Sequence, residues 1–546
     1  MAAAQREHNL LRTYRLIFKC DKWSFIRLLG CTFAGSILPL LNLYVLRGII
    51  DGVTEGASFS GKLLPSVILF AAIFFLGRCL ATLENASFDI LSQRFVDYIS
   101  DIVHRKSSEV DLSYYDSSEY HDTLYRAQQE ASQRAVTLIY SSFQIFGAVV
   151  SIATITVMLA SASVWTLAIM VLAVLPSFFV RLVRSRRLYA LNKERTGLYR
   201  RSRYLSSLIT GRENAAEVRA RGLSPFLRES YRKIRKEIRD AVIVLIRKMA
   251  GYDSVCAILE SAALVLVTLV LLRGAGKGLF SVGSFVILFD AFRRGQSQLQ
   301  SLTKGIASMY DNQLFINNLY DFLRLEPRIT SPENPLPFPE TVETVAFDDV
   351  TFSYPGSAAP ALSHVNLVAP RGEITRIEGP NGFGKTTMVK LLLRLYDPQA
   401  GAVRINGTDI REFDLSALRR GVSAAFQQVS AYYFSVRDNI RFGDISRPLD
   451  EGRMLRASEA GGFAPVSEKL ASGYDTMVGR EFGDGEELSQ GQRQRLAIAR
   501  HFYSDAQVLV FDEPTAWLDV VCRKEFLDKL ETIKRDRVVI FISHTQ

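Results

Sequence analysis

The stretch GPNGFGKTT at residues 379–387 decides the fold of the C-terminal part of this chain. It fits the phosphate-binding pattern of a glycine, four residues, Gly-Lys and a hydroxyl residue. TRIEG at residues 375–379 leads into it as a short strand, and we expect a helix to begin near Lys385. The glycine-rich backbone lets several N–H groups point inward at the positive end of that helix. The stretch therefore predicts an α/β P-loop NTPase domain with a site for a triphosphate.

Every residue of this loop is a candidate contact to the nucleotide, and two of them have a specific chemistry. The ammonium of Lys385 can neutralise β- and γ-phosphate oxygens, and the hydroxyl of Thr386 is placed to ligate Mg²⁺. A glycine-rich surface turn is the alternative that the motif alone leaves open. The expected contacts are Gly379, Pro380, Asn381, Gly382, Phe383, Gly384, Lys385, Thr386 and Thr387.

A second motif, VLVFDE at residues 508–513, supplies two acids. Its apolar start is typical of a buried parallel strand, which would bring Asp512 to a metal ion at the carboxyl end of the sheet. Glu513 follows directly, where its carboxylate can orient the attacking water or accept its proton. We therefore expect Asp512 as a Mg²⁺ ligand and Glu513 as a catalytic residue. An acidic pair at a helix N-terminus is the alternative for such a dipeptide.

A third motif, LSQGQ at residues 488–492, lies between the first two. In this order and spacing the three motifs resemble those of ATP-binding cassette (ABC) proteins. The resemblance implies ATP and Mg²⁺ as cofactors, and it adds site residues at matching positions. Tyr354 in FSYPG would stack on adenine, Gln427 in AAFQQ would bind Mg²⁺ and act in catalysis, and His544 in FISH would contact the γ-phosphate as a catalytic residue.

Asp519 in TAWLD matches the acid of the family's D-loop and is a further expected residue of the nucleotide site. Alternatives stay open for the others. Tyr354 also fits an exposed strand aromatic, and His544 also fits a solvated histidine. Gln428 adjoins Gln427, and a shift of one residue would exchange their roles.

The LSQGQ segment indicates how many chains make a complete site. In the family that it resembles, the start of its helix contacts the γ-phosphate held by a second cassette. Because this sequence contains one cassette, the resemblance implies a half-transporter that pairs with another, most simply as a homodimer. The contacts expected from the segment are Ser489, Gln490, Gly491 and Gln492.

The region before the cassette is apolar enough for a membrane domain. The mean hydropathy of the chain is +0.10 although 22% of its residues are charged. A helix needs about 20 residues to cross a bilayer. A single apolar run also fits a buried core helix, but six runs with short connections at alternate ends predict a polytopic all-α membrane domain. The runs are residues 24–49, 63–83, 136–160, 162–180, 254–272 and 279–292, the last with a polar extension.

The placement of positive charge orients these runs. Residues 181–240 hold 18 Lys/Arg against 6 Asp/Glu, whereas the connections after the first, third and fifth runs are short and carry few cations. By the positive-inside rule, the long loops, the N-terminus and the ATPase domain are expected in the cytoplasm and the protein in the plasma membrane. The net charge of +10 then reflects topology and contact with anionic membrane lipid, and we expect no nucleic-acid partner.

Six spans followed by a cassette resemble the exporter architecture of the ABC family. Short coupling helices end its two cytoplasmic loops, and residues 113–128 and 213–223 occupy those places, although both also fit ordinary loop helices. The cassette is expected to be C-terminally incomplete because the sequence ends just after FISH. The expected order is a cytoplasmic arm without a cleaved signal peptide at 1–20, a six-helix transmembrane domain with two long cytoplasmic loops at 21–310, a linker at 311–342 and the nucleotide-binding domain at 343–546.

Ionisable residues inside the spans are candidates for the transport path. A charge in hydrocarbon is costly unless it faces water or another charge. Glu260 is the most deeply embedded, and together with Asp290 it is expected to line the path of the cargo. Ion pairing with Arg293 is the alternative.

Segments such as INGTDIREFDLSALRR at 405–420 resemble bacterial half-transporters for lantibiotics and other peptides. The resemblance implies export of a peptide, with a lipid or an amphiphilic drug as second choice. An importer of the same architecture, such as a metal-chelate carrier, and a nucleotide-binding regulator with impaired hydrolysis are the alternatives. Phe383 bears on the last, because it replaces the small residue usual in the loop and puts nucleotide affinity in question. Gln490 replaces a glycine of the family pattern and leaves Ser489 and Gly491 usable.

Overall fold

The structure is a computed structural model of the whole chain. It describes residues 2–56, 58–116, 120, 124, 131–160, 164–278, 280–357, 359–380, 382–426, 431–481, 483, 485–515, 517–518 and 520–543. The chain forms two compact units. A helical unit comprises Met1–Ser108 and Asp122–Arg324, and an α/β unit comprises Glu109–His121 and Leu325–Gln546.

Long helices make up the helical unit, and local sequence sets several of their ends. Asp21 caps the second helix by accepting a hydrogen bond from the backbone N–H of Ser24 at 3.0 Å, and Ser281 caps the last one in the same way. The helices are α1 (Ala2–Cys20), α2 (Lys22–Thr54), α3 (Leu64–Glu109), α4 (Leu112–Tyr115, assigned to the α/β unit), α5 (Ala131–Ala160), α6 (Val164–Glu194), α7 (Thr196–Thr210), α8 (Arg212–Ala220), α9 (Ser224–Gly276) and α10 (Val282–Leu323), with a π-helical turn at Phe59–Leu63.

Five helices of the described residues are long and apolar enough to cross a membrane, and they overlap the first five predicted spans. The sixth predicted span coincides with the start of α10, which is long but does not reach the same apolar composition. The reason is local, because Asp290, Arg293 and Arg294 follow its apolar first turns. The apolar segments are Lys22–Thr54, Leu64–Glu109, Val136–Ala160, Trp165–Leu188 and Ser224–Gly276.

The helical unit has an apolar interior and an apolar exterior. Helix α10 packs along α5 and α6, and α2 packs on both α5 and α10. Leu159, Val267 and Phe292 are fully buried in the cluster that these helices share. Large side chains such as Phe75 and Trp165 point outward instead. An apolar outer surface around long helices is what a hydrocarbon environment requires.

Two sheets organise the α/β unit. The strands are β1 (Thr344–Phe352), β2 (Leu362–Pro370), β3 (Ile374–Glu378), β4 (Ala400–Ile405), β5 (Thr408–Asp409), β6 (Val422–Ala425), β7 (Val508–Asp512) and β8 (Val538–Ser543). The α-helices are α11 (Lys385–Leu392), α12 (Leu415–Gly421), α13 (Val436–Arg441), α14 (Glu451–Ala460), α15 (Ala464–Ser467), α16 (Gln490–Tyr503) and α17 (Val520–Ile533). Strands β2, β1, β4 and β5 form an antiparallel sheet, and β3, β8, β7 and β6 form a parallel one.

The parallel sheet positions the predicted site. Glu378 at the end of β3 pairs with Ser543, and Asp512 at the end of β7 pairs with Ile542, so these strands finish at the same edge. Every residue of β7 is buried, as expected from its apolar run. Ligands of open α/β sheets bind at this carboxyl edge. The P-loop, which follows β3, and the acids of β7 therefore share one edge of the sheet.

Residues 109–121, which connect two helices of the helical unit in sequence, are assigned to the α/β unit. Asp111 accepts hydrogen bonds from the backbone N–H groups of Arg328 and Ile329 at 2.7 and 3.2 Å. Leu112 packs against the core between the sheets. The first predicted coupling segment, 113–128, lies largely outside the described residues, whereas the second, 213–223, overlaps α8.

Candidate nucleotide-binding site

The P-loop runs from β3 into α11, and its geometry requires glycine. Gly384 is the N-cap of α11 with a φ of 79°, in the left-handed region that side chains disfavour. A Cβ at this position would come within 2.4 Å of the carbonyl oxygen of Ala361. The loop can therefore curl tightly over the start of the helix, which directs backbone N–H groups into its concave side.

Lys385 lies buried inside this loop. Its ammonium donates hydrogen bonds to the carbonyl oxygens of Gly379 and Pro380, at 2.5 and 3.3 Å. A cation is thus held on the concave side of the turn, where phosphate oxygens are the natural partner. Both loop carbonyls belong to residues that were predicted as nucleotide contacts.

The predicted metal ligands meet across the parallel sheet. The hydroxyl of Thr386 donates a hydrogen bond of 2.7 Å to Oδ2 of Asp512. Asp512 is only 1% exposed, so its carboxylate is withdrawn from bulk water. A hydroxyl and a carboxylate are hard oxygen ligands, and Mg²⁺ is usually bound by one or two such groups together with substrate phosphates. This pair fits the ion that the motifs predict.

Glu513 has a strained backbone next to this pair. Its φ is 54°, unusual for a residue with a side chain, and its N–H donates to the carbonyl oxygen of Ile542 at 3.1 Å. Strain of this kind persists where the surrounding structure fixes the conformation, and it is frequent at functional sites.

Tyr354 lies beside the P-loop helix. Its hydroxyl is 3.0 Å from the hydroxyl of Thr387. The rings of Phe352 and Tyr396 contact it edge to face, and the ammonium of Lys390 lies 5.0 Å from its ring centre. The structure thus places Tyr354 next to the nucleotide loop, and stacking on adenine stays a prediction.

The LSQGQ segment begins α16, with Ser489 as its N-cap. Ser489 and Gln492 form a capping box, in which the Ser489 hydroxyl accepts from the Gln492 N–H and the Gln492 side chain accepts from the Ser489 N–H. Ser489 and Gln490 are exposed. A Cβ at Gly491 would come within 2.8 Å of the carbonyl oxygen of Trp517. The helix start is thus open to solvent and closely packed against the chain that follows β7.

Phe383 turns its ring away from the loop interior, with 70% of the residue exposed.

Gln494 lies on α16, the helix that begins in the signature motif, and links it to the acidic motif. Its side-chain amide donates a hydrogen bond of 3.0 Å to the carbonyl oxygen of Pro514, which follows Glu513. Four predicted site residues lie outside the described part of the chain. They are Asn381, Gln427, Asp519 and His544.

The hydrogen bonds that sequence reasoning missed include two in the α/β unit that join segments far apart in the chain. Tyr396 donates to Asp116, and Ser423 Oγ lies 2.6 Å from Nδ1 of His501. The only signal for the first was the tyrosine- and acid-rich composition of residues 113–120. No local sequence pattern indicates that Tyr396 contacts Asp116 or that Ser423 contacts His501.

A cavity of about 1240 Å³ opens in the helical unit. Asp290 lines it and also forms an ion pair with Arg293. The residues that line this cavity do not include Glu260, and its place on the path of the cargo stays a prediction. Glu260 instead accepts hydrogen bonds from Ser177 and Gln300, both at 2.6 Å, which satisfy the carboxylate between helices.

Fold and site define a P-loop ATPase domain that is joined to a helical membrane domain. Residues 362–516 match the ABC transporter family. The chain has the fold seen in a solved structure of a bacterial Atm1-family ABC exporter with ATP bound. The comparison has a TM-score of 0.77 at 20% sequence identity, and it covers 99% of this chain and 91% of the other. The chain therefore contains an ATP-hydrolysing ABC transporter domain and has the fold of an ABC exporter, with the apolar helices of a multi-pass membrane protein.

Two relatives are named for transport, and a third is named as a flippase. The chain is 27% identical over 543 residues to the subtilin transport ATP-binding protein SpaT of Bacillus subtilis, covering 98% of this chain and 87% of that protein. It is 25% identical over 549 residues to the nisin transport ATP-binding protein NisT of Lactococcus lactis subsp. lactis, covering 98% and 89%. An ATP-dependent lipid A-core flippase of Vibrio parahaemolyticus is 25% identical over 533 residues, covering 96% and 90%. These likenesses favour export over import.

Proposed function

We propose that two copies of this chain form a plasma-membrane exporter that uses Mg-ATP to move an amphiphilic molecule, with a peptide as the leading candidate. The observation that carries the proposal is the hydrogen bond between Thr386 and the buried Asp512. It joins the P-loop to the acid of β7 at the edge where Lys385 also lies. A hydroxyl, a carboxylate and an ammonium at one sheet edge suit a metal-bound triphosphate.

Each described residue of this edge has a role in the proposal. Lys385 and the backbone N–H groups of the P-loop bind the β- and γ-phosphates, while Thr386 and Asp512 hold Mg²⁺. The metal ion neutralises charge on the phosphates. Glu513 orients the attacking water and accepts its proton. Its strained backbone lies next to Asp512, at the same edge of the sheet. Tyr354 supports the adenine from beside α11.

The signature segment supports the dimer. The N-terminus of α16 presents Ser489 and Gln490 to solvent, and the start of a helix attracts anions. We assign this end to the γ-phosphate held by the partner copy, so that each complete site uses both chains. ATP hydrolysis per chain should then fall when the subunits are separated.

Orientation and cargo follow from the helical unit. The basic residues at 181–240 belong on the cytoplasmic side, with the N-terminus and the cassette. SpaT and NisT are named for transport of subtilin and nisin, and the flippase for lipid A-core. A peptide or another amphiphile suits a large cavity whose wall combines aromatic and charged side chains.

The test compares the parent protein with a Glu513→Gln variant in proteoliposomes. We expect Mg-ATP hydrolysis by the parent and a loss of about 100-fold or more in the variant, since general-base assistance contributes about 10²–10⁴-fold. Glu531→Gln, at an exposed acid of α17, is the matched control and should hydrolyse ATP like the parent. A parent protein that binds ATP without turnover would instead indicate a regulator. Accumulation of cargo on the cassette side would indicate an importer.

A further inference from the structure

The cavity of the helical unit has an aromatic wall with an uneven charge. Its aromatic side chains come from three helices, α3, α5 and α10. They are Phe70, Phe74, Phe88, Tyr140, Phe143 and Phe289. Its charged side chains are three arginines and two carboxylates, namely Arg78, Arg293, Arg294, Glu84 and Asp290. One positive charge is therefore in excess on the wall that each copy contributes.

The excess is located on α10. Asp290 accepts hydrogen bonds from Arg293 Nη2 at 2.8 Å and from Arg294 Nε at 2.5 Å. One carboxylate carries a single negative charge, so it cannot neutralise two guanidinium groups. The arginine side chains remain 63% and 41% exposed, and each has N–H donors beyond those bound to Asp290. This cluster can accept a further anion.

The other two charges offset each other. Arg78 and Glu84 both lie on α3, six residues apart, which is about 9 Å along a helix at 1.5 Å per residue. Glu84 is held by the hydroxyl of Thr32 on α2, which donates to Oε1 at 2.7 Å. The carboxylate is thus held on the side of the cavity formed by α2 and α3, whereas Asp290 and its two arginines lie on α10.

We propose that this cavity binds an amphiphile with an acidic group, which pairs with Arg293 and Arg294 while the apolar part packs on the aromatic wall. The inference rests on the proposed export function and names the class of its substrate. A guanidinium binds a carboxylate through charge-assisted hydrogen bonds, which are frequently bidentate and give the pair its selectivity. Asp290 has a positioning role, because it keeps the two arginines together at the wall.

The experiment measures binding without ATP, to the full chain in nanodiscs, with empty nanodiscs subtracted. Three probes share one acyl chain and differ only in the head group. They are the α-amides of N-dodecanoyl-glutamate, N-dodecanoyl-glutamine and N-dodecanoyl-lysine, so that the head groups are anionic, neutral and cationic in that order. We expect the glutamate probe to bind about tenfold more tightly than the glutamine probe, as befits one hydrogen-bonded charge pair. The lysine probe should bind least tightly.

Variants then locate the effect. Arg293→Gln should remove most of the preference for the glutamate probe and leave the glutamine probe unchanged, whereas Arg293→Lys should retain much of it. Arg273→Gln, at an exposed arginine in the last turn of α9 and outside the cavity wall, is the matched control. Equal binding of the three probes, a preference for the lysine probe, or the same loss in Arg273→Gln as in Arg293→Gln would overturn the proposal.

Failure of this proposal and failure of the export function give different results. ATP hydrolysis by the same nanodiscs, and its loss in Glu513→Gln, test the transporter independently of the probes. A protein that hydrolyses ATP but does not distinguish the head groups loses only the substrate class. A protein that selects the glutamate probe but never hydrolyses ATP keeps the anion site and loses the export function.

Discussion

The hydroxyl of Tyr396 donates a hydrogen bond of 2.5 Å to a carboxylate oxygen of Asp116. Tyr396 is 4% exposed and lies in the α/β unit, and its ring contacts the edge of the Tyr354 ring. Burial and the neighbouring charge of Asp116 raise the pKa of Tyr396, so it stays a proton donor at physiological pH. Asp116 belongs to the short segment that follows α3, whose earlier turns line the cavity. This bond thus ties the segment to a ring beside the nucleotide site.

Tyr396→Phe should weaken the coupling between cargo and ATP. The change removes a hydrogen bond to a charged group, worth about 1.5–3 kcal/mol, and leaves the ring in place. We expect the ATPase rate without cargo to stay within about twofold of the parent, because no predicted nucleotide contact is removed. The stimulation of that rate by an amphiphilic probe should fall several-fold. Turnover of reconstituted protein with and without the probe measures both quantities.

Tyr474→Phe is the control for this prediction. Its hydroxyl donates a hydrogen bond of 2.9 Å to the side chain of Ser458 on α14. Unlike the bond of Tyr396, this bond does not involve the segment that follows α3. The control should keep the parent's stimulation. If Tyr396→Phe and Tyr474→Phe behave alike, the bond to Asp116 is a stabilising contact only.

Phe383→Ser should leave the affinity for Mg-ATP almost unchanged. The ring points into solvent, so its size does not obstruct the concave side of the loop. We expect the Kd of Mg-ATP to change by less than about threefold, which corresponds to well under 1 kcal/mol. Lys385→Ala should weaken binding far more, since it removes the loop cation. Equilibrium binding of a fluorescent ATP analogue measures both, and a tenfold tightening in Phe383→Ser would show that the ring does obstruct the site.

Local motifs could be predicted because they carry their own geometry. The P-loop needs glycine at 384 for a positive φ, and an apolar run that ends in Asp512 has few alternatives to a buried strand. The meeting of Thr386 with Asp512 followed from the parallel sheet. The surroundings of Glu260 did not follow, because its partners Ser177 and Gln300 lie on other helices whose rotation the sequence leaves open. The bond between Tyr396 and Asp116 depends on the same long-range packing.

His501 should make the cassette less stable in acid. Its ring contacts the edge of Phe511, and this enclosure, with a smaller effect of the Arg500 guanidinium, lowers the pKa of His501 to about 3. The unfolded chain takes up the proton near the ordinary pKa of about 6.5. The contribution of neutral His501 is therefore complete above pH 6.5 and is lost progressively as the pH falls toward 3.

The thermal midpoint of the purified protein at pH 7.5 and at pH 5.0 checks this effect. His501→Phe should show a smaller decrease in Tm between the two pH values than the parent. His364→Phe is the control, because His364 is exposed and its removal leaves the His501 imidazole in place. An equal decrease in the parent and in His501→Phe would mean that other groups determine the acid sensitivity.

Trp517 should report the approach of the second copy. It is 57% exposed and its carbonyl oxygen packs against Gly491 at the start of α16, the end that we assign to the partner's phosphate. With Trp23 and Trp165 changed to phenylalanine, Trp517 is the single tryptophan of the sequence. In this background with Glu513→Gln, ATP should shift the emission to shorter wavelength as the indole becomes buried. Adding Lys385→Ala should abolish the shift together with ATP binding. A protein that binds ATP with no change at Trp517, while its dimer forms, would place the partner on another face of the cassette.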